Sequence, residues 1–117
     1  VSCNEISNRF ADSQNRQFDS YKAFKKQYGK AGEGQEWHHI VEQSQIKNGI
    51  AAKDVYSVNN IIRLDRVAHR DISAFYSSKQ SFTSNMTVRQ WLSSKGFQEQ
   101  YEYGVQFLKD ICGIIIK

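Results

Sequence analysis

Three stretches decide the fold: Glu36-Trp37-His38-His39-Ile40-Val41, Asn59-Asn60-Ile61-Ile62-Arg63-Leu64, and the run from Asp65 to Tyr76. The first is short and mixed and reads as a strand; in the second, Asn59-Asn60 precede Ile61-Ile62-Arg63-Leu64, brief and β-branched, which reads as another. From Asp65 the period changes. Ala68, Ile72, Phe75 and Tyr76 fall at i, i+4, i+7 and i+8, which is one apolar helix face, and His69, Arg70 and Ser73 lie off it. The order is strand, strand, helix.

On the N-terminal side, Phe18, Tyr21, Phe24 and Tyr28 recur at helical spacing, with Asp12 or Ser13 available as a cap and Gly29 as the end. Lys22, Lys25, Lys26 and Lys30 collect at the end of that helix. The macrodipole favours cations there, and a nucleic-acid track is the other reading of the same residues. Gly29 to Gly34 forms a glycine-rich loop, and Ile46 to Tyr56 reads as a turn or short helix around Gly49. On the C-terminal side, Ser77 to Met86 is a polar loop. Thr87 then caps a helix carrying Val88, Trp91 and Leu92 that Gly96 stops, and a last helix places Phe97, Tyr101, Val105, Leu108 and Cys112 on one face. The expected class is α+β and predominantly α-helical, with a small β-hairpin plus helix packed among several helices. A single domain over 1–117 divides into an N-terminal helix region (1–28), a ββα element (36–78) and C-terminal helices (87–112).

With 117 residues the chain has room for one core, and 39% hydrophobic and 13% aromatic residues suit a folded domain. Sixteen basic residues against 12 acidic give +4, a balance that favours a polyanionic partner. No apolar run approaches the ~20 residues of a membrane span. The polar start is no signal peptide, and the absence of an initiating Met points to a piece of something longer. The two cysteines, Cys3 and Cys112, read as free thiols in a reducing compartment, with a disulfide tying the ends as the alternative.

All three histidines, His38, His39 and His69, belong to the deciding stretches. Near neutral pH an imidazole can take a proton from a nucleophile, and an asparagine across the hairpin can hold it in one tautomer. Further histidines can hold a divalent metal that stabilises charge on a phosphate and its leaving oxygen. Adjacent strand residues point to opposite sides, so His38 and His39 would divide these tasks.

His38-His39, Asn60 and His69 resemble the HNH, or endonuclease VII-like, nuclease motif, a β-hairpin clasped to a helix. Together with Gly29 to Gly34 and the run from His69 to Lys79, they look like the Trp-His-His toxin nucleases, which sit at the C-termini of polymorphic bacterial toxins of the contact-dependent inhibition and Rhs types. The resemblance covers roughly residues 29 to 110. It implies that His38 and His69 are metal ligands, His39 the general base and Asn60 the residue orienting it, with Asn59 as the alternative. Mg²⁺ or another divalent ion would be the cofactor. One departure matters: Ser73 stands where colicin-like members have another histidine, which leaves two protein ligands.

The leading expectation is a toxin acting on RNA, favouring tRNA, by a metal-free route. His39 would deprotonate the 2′-hydroxyl and His69 would protonate the leaving 5′-oxygen; Arg63, Arg70, Ser73, Lys25 and Lys26 would contact substrate. The rival is a metal-dependent HNH-type DNase, and a non-catalytic nucleic-acid or protein-binding module is the third reading. Glu42, three beyond His39, could be an acid, a metal ligand or a helix cap. Trp37 reads as hairpin packing, and Arg63 and Arg70 could instead pair with Asp65 or Asp71. The resemblance further implies delivery from a producing cell into a target-cell cytoplasm, a cognate immunity protein and, for some tRNA-cleaving members, a host translation factor. No membrane contact is expected of the domain itself.

Overall fold

β1 (Gln35–His39) and β2 (Ile61–Asp65) pair antiparallel, with Trp37 opposite Arg63 and His38 opposite Ile62, in a computed structural model that describes residues 16–116. β2 falls where the pattern predicts, β1 ends at His39 rather than running on through Ile40 and Val41, and the connection carries the short helix expected between Ile46 and Tyr56. A 3-10 helix (Gln43–Asn48), α2 (Ala52–Val55) and a 3-10 turn (Val58–Asn60) fill it. Gly49 ends the first of these at φ +105°, a left-handed conformation that glycine adopts without steric cost.

Side chains alternate across the two strands. Trp37, His39 and Ile61 face α1 (Tyr21–Tyr28), where Trp37 and Ile61 join Phe24 and Val58 in one buried cluster. Glu36, His38, Ile62 and Leu64 face α3 (Arg66–Tyr76), and a larger cluster there unites Ile62 and Leu64 with Ile72, Tyr76, Val88, Leu92 and Leu108. A two-stranded sheet is marginal alone, so its stability comes from cover on both faces. The protein is α+β, with the strand pair as a thin middle layer among helices.

α1 starts at Tyr21 rather than before Phe18. Ser20 is extended, and its hydroxyl accepts from the Ala23 N–H at 3.0 Å, which caps the helix there. Phe18 packs edge-on against Phe24 and Tyr28 from outside the helix. Asp12 and Ser13, expected as caps, lie outside the described residues. α3 follows β2 without a loop, because the Arg66 N–H donates to Gly34 O at 2.9 Å and carries the strand ladder into the first helical turn. Its expected face is buried at Ala68, Ile72 and Tyr76.

α4 (Val88–Leu92) begins with a capping box between Thr87 and Gln90. It ends at Ser93, and Gly96 caps the start of α5 (Phe97–Cys112) instead of stopping α4. The buried line of α5 is Gln100, Gly104 and Leu108, while Phe97, Tyr101 and Val105 are only half-buried. The cause is a close crossing: a Cβ at position 104 would lie 2.7 Å from Ile40 Cγ2 and 3.1 Å from Ile40 O. A stripe read from large apolar residues passes over a face built around glycine.

Cys112 is disulfide-bonded and no cysteine is free among the described residues, so the free-thiol expectation fails there. The other cysteine of the sequence, Cys3, lies outside the described residues. Among the described residues no helix is long and apolar enough to cross a membrane.

Candidate active site

His38 and His39 end β1, His69 lies one turn into α3, and all three line one cavity of about 750 Å³. The alternation of β1 puts Glu36 and His38 on the α3 side and His39 on the α1 side. The Nδ1 of His69 lies 2.8 Å from Glu36 Oε1. A carboxylate only accepts, so Nδ1 is the donor and Nε2 is the ring nitrogen left unengaged by this contact. This hydrogen bond, with the charges of His69, Arg70 and Arg66, holds the Glu36 carboxyl below its ordinary range against the opposing effect of burial. Arg66 Nε stands 3.5 Å from the other Glu36 oxygen.

The His38 and His69 rings are 5.3 Å apart at 76°. His38 and His39 are only 5% and 6% exposed. Burial foremost, then the charge of His69 and for His38 also that of His39, pulls their pKa values down to about 3 and about 4. Both are therefore neutral at pH 7, the form that accepts a proton or binds a cation.

His39 is held unlike the expectation. Its ring packs against Tyr21 at 4.7 Å and Tyr56 at 5.8 Å, and its Nε2 is buried with no hydrogen-bond partner. Asn60 does not orient it by a hydrogen bond. The fully buried Asn60 amide accepts from Val41 N–H at 2.9 Å and donates to Val41 O at 3.0 Å and Val55 O at 2.9 Å. Its own carbonyl accepts from Ile40 N–H at 2.8 Å. Both amide hydrogens are used on backbone, so Asn60 acts on His39 only by fixing the chain that follows it.

Glu42 is not a free acid, and although it stands at the N-cap position of the 3-10 helix its side chain makes no capping hydrogen bond. Arg89, from α4, takes both its oxygens at 2.7 Å with Nε and Nη2, and Arg89 Nη1 donates to Ser77 Oγ at 2.7 Å. This fork ties the loop after His39 to α4 and raises the arginine's already high pKa.

Among the expected substrate contacts, Lys25 and Ser73 line the cavity, Ser73 one turn beyond His69. Lys26 and Arg70 are exposed and outside the lining. Arg63 is also outside it: its guanidinium lies 4.7 Å over the Trp37 ring and its Nε donates to Ala31 O at 3.1 Å. Trp37 Nε1 in turn donates to Gly29 O at 3.0 Å, so the Trp37–Arg63 pair packs the hairpin. The cations that do line the cavity are Lys25, Lys30, Arg66 and Arg89.

Sequence reasoning missed Glu36, Arg66, Arg89 and Tyr21. Two carried a signal: Glu36 shares a strand face with His38 by alternation, and Arg66 shares a helix face with His69 at i, i+3. Arg89 and Tyr21 reach the site from other elements, and no local pattern marks them. Among the described residues no group of three or more His, Cys, Asp or Glu side chains is placed to share one ion. Comparisons with protein-family models, curated proteins and solved structures give no match.

Proposed function

We propose that this domain is a nuclease of the HNH-like, Trp-His-His kind, a toxin that cleaves phosphodiester bonds in a target cell. The observation that carries this reading is the convergence of His38, His39 and His69 on one cavity whose wall also carries Lys25, Lys30, Arg66 and Arg89. Four cations against Glu36 and Glu42 suit a polyanion, and neutral imidazoles at pH 7 suit proton transfer beside it.

Two routes use these residues. In the metal-free route on RNA, with tRNA favoured, His39 takes the 2′-hydroxyl proton and His69 protonates the leaving 5′-oxygen. This route gives His38 no task. In the metal-dependent route on DNA or RNA, His38 and His69 would together hold a divalent ion. Their spacing supports one: two imidazoles sharing an ion with metal–nitrogen distances of ~2.1 Å have ring centres about 5 Å apart, and these stand at 5.3 Å. Glu36 on the far nitrogen of His69 is the partner that orients a histidine ligand. Such an ion would supply charge stabilisation to the phosphate and the leaving oxygen. The spacing of His38 and His69, with Glu36 behind His69, therefore supports the metal-dependent route. The toxin role, a cognate immunity protein and a host translation factor rest on the sequence resemblance.

The test is cleavage of total RNA and plasmid DNA before and after EDTA. Loss with EDTA, restored by Mg²⁺, Mn²⁺ or Zn²⁺, supports the metal-dependent route. Resistant cleavage of RNA alone, leaving 2′,3′-cyclic phosphate ends, supports the metal-free one. No cleavage of either nucleic acid under any of these conditions overturns the nuclease reading.

A further inference from the structure

The His39 imidazole lies against two phenol rings from different parts of the chain. Tyr21 opens α1 and Tyr56 follows α2. The two rings are parallel within 8° with centres 6.3 Å apart, and His39 stands nearly perpendicular to both, at 85° and 84°. Each tyrosine is itself anchored. Tyr21 follows the Ser20 cap and packs beside Phe24, and the Tyr56 hydroxyl donates to Gln43 Oε1 at 3.0 Å.

A histidine that acts in catalysis is ordinarily oriented by a hydrogen bond to its second nitrogen. Here Nε2 is sealed and unpartnered, and the asparagine across the hairpin is bonded to backbone instead. What limits rotation of the ring is the wall of aromatic faces on the α1 side. The sealed Nε2 leaves Nδ1 as the nitrogen that can serve the cavity.

We infer that Tyr21, with Tyr56, is a positioning residue of the site: the two rings, through edge-to-face packing, hold the His39 imidazole in its working orientation. α1, which lies outside the hairpin-and-helix element, is then part of the active machinery and not only cover for the sheet. Lys25 belongs to the same arrangement, since its ammonium lies 4.4 Å over the Tyr21 ring while it lines the cavity. The kinetic arm of the test rests on the nuclease reading; the spectroscopic arm does not.

The variants are Tyr21→Leu, which removes the ring but keeps apolar bulk, and Tyr21→Phe, which keeps the ring and removes the hydroxyl. Tyr21→Leu should lower kcat roughly ten- to hundredfold with KM little changed, because a misoriented group loses rate and not substrate affinity. Tyr21→Phe should recover most of that loss. Equal loss in both variants would assign the work to the hydroxyl, a rise in KM alone would make Tyr21 a substrate contact, and unchanged kcat in Tyr21→Leu would leave it structural; each overturns the inference. Independently of activity, nuclear Overhauser contacts of the His39 ring protons should report a single ring orientation in the unaltered protein and in Tyr21→Phe, and averaged contacts in Tyr21→Leu. A single unchanged ring orientation in all three overturns the inference even if the domain cleaves nothing. Should Tyr21→Leu fail to fold, Tyr56→Leu removes the second ring against the same imidazole and carries the same expectations.

Discussion

Glu36 and His69 meet at 2.8 Å across the interface between β1 and α3, a carboxylate from the strand fixing a histidine on the helix. Both are partly exposed, at 34% and 29% of their side chains, so the pair contributes little to stability, at most about 1 kcal/mol. Its value lies in setting the tautomer of His69. Glu36→Gln should therefore leave the thermal midpoint nearly unchanged and lower cleavage roughly ten- to hundredfold. Full activity in Glu36→Gln would show that the contact is incidental.

Asn60→Ala should do the reverse. It strands Val41 N–H, Val41 C=O and Val55 C=O in the interior, each at a cost of about 1–3 kcal/mol. A loss of roughly 3–5 kcal/mol in urea unfolding is expected. A loss below about 1 kcal/mol would contradict the clamp.

The Glu42–Arg89 fork is geometrically strong and partly buried, with the two side chains 20% and 28% exposed. A double-mutant cycle of Glu42→Gln and Arg89→Met should give a coupling of about 1–3 kcal/mol, and Arg89→Lys should not restore it, because an ammonium cannot make both contacts. Additive single effects would mean that α4 and the loop after His39 are held by other contacts.

Stability should fall as pH drops from 6.5 toward 4. His38 and His39 titrate at about 3 and about 4 in the fold and near their ordinary value when unfolded, so the unfolded chain binds protons first. Their contribution is fully present above pH 6.5 and is lost on acidification at about 1.4 kcal/mol per pH unit for each titrating histidine. The thermal midpoint measured against pH should flatten in this window in a His38→Gln, His39→Gln double variant. An unchanged slope would contradict the burial of these rings.

Gly104→Ala should destabilise the protein by roughly 1–3 kcal/mol despite the better helix propensity of alanine, because Ile40 is buried and cannot withdraw from the new Cβ. A gain in stability would show that α5 can shift away from Ile40.

Much of the fold was legible because its signals are local. β2 declares itself by β-branched residues, α3 by its apolar period and α4 by Thr87 and Gln90. The start of α1 was misread because Phe18 continues the aromatic spacing, although the Ser20 cap starts the helix only after it. The buried face of α5 was misread because it is built on Gln100 and Gly104, where close approach replaces bulk. At the candidate site, the histidines stood out by their rarity and spacing. Their supporting residues are legible only in part: alternation reaches Glu36 and helical spacing reaches Arg66, while Arg89 and Tyr21 arrive through tertiary contacts that no window of sequence contains. Asn60 was found by position, and its role differs because its amide serves the backbone of the strand connection.

The most direct test of the account is cleavage of total RNA and plasmid DNA by the protein and by its His39→Ala and His69→Ala variants, each shown to be folded. The account predicts cleavage by the unaltered protein and a loss of roughly a hundredfold or more in each variant. Cleavage by neither the protein nor its variants, or undiminished cleavage by both variants, would contradict it.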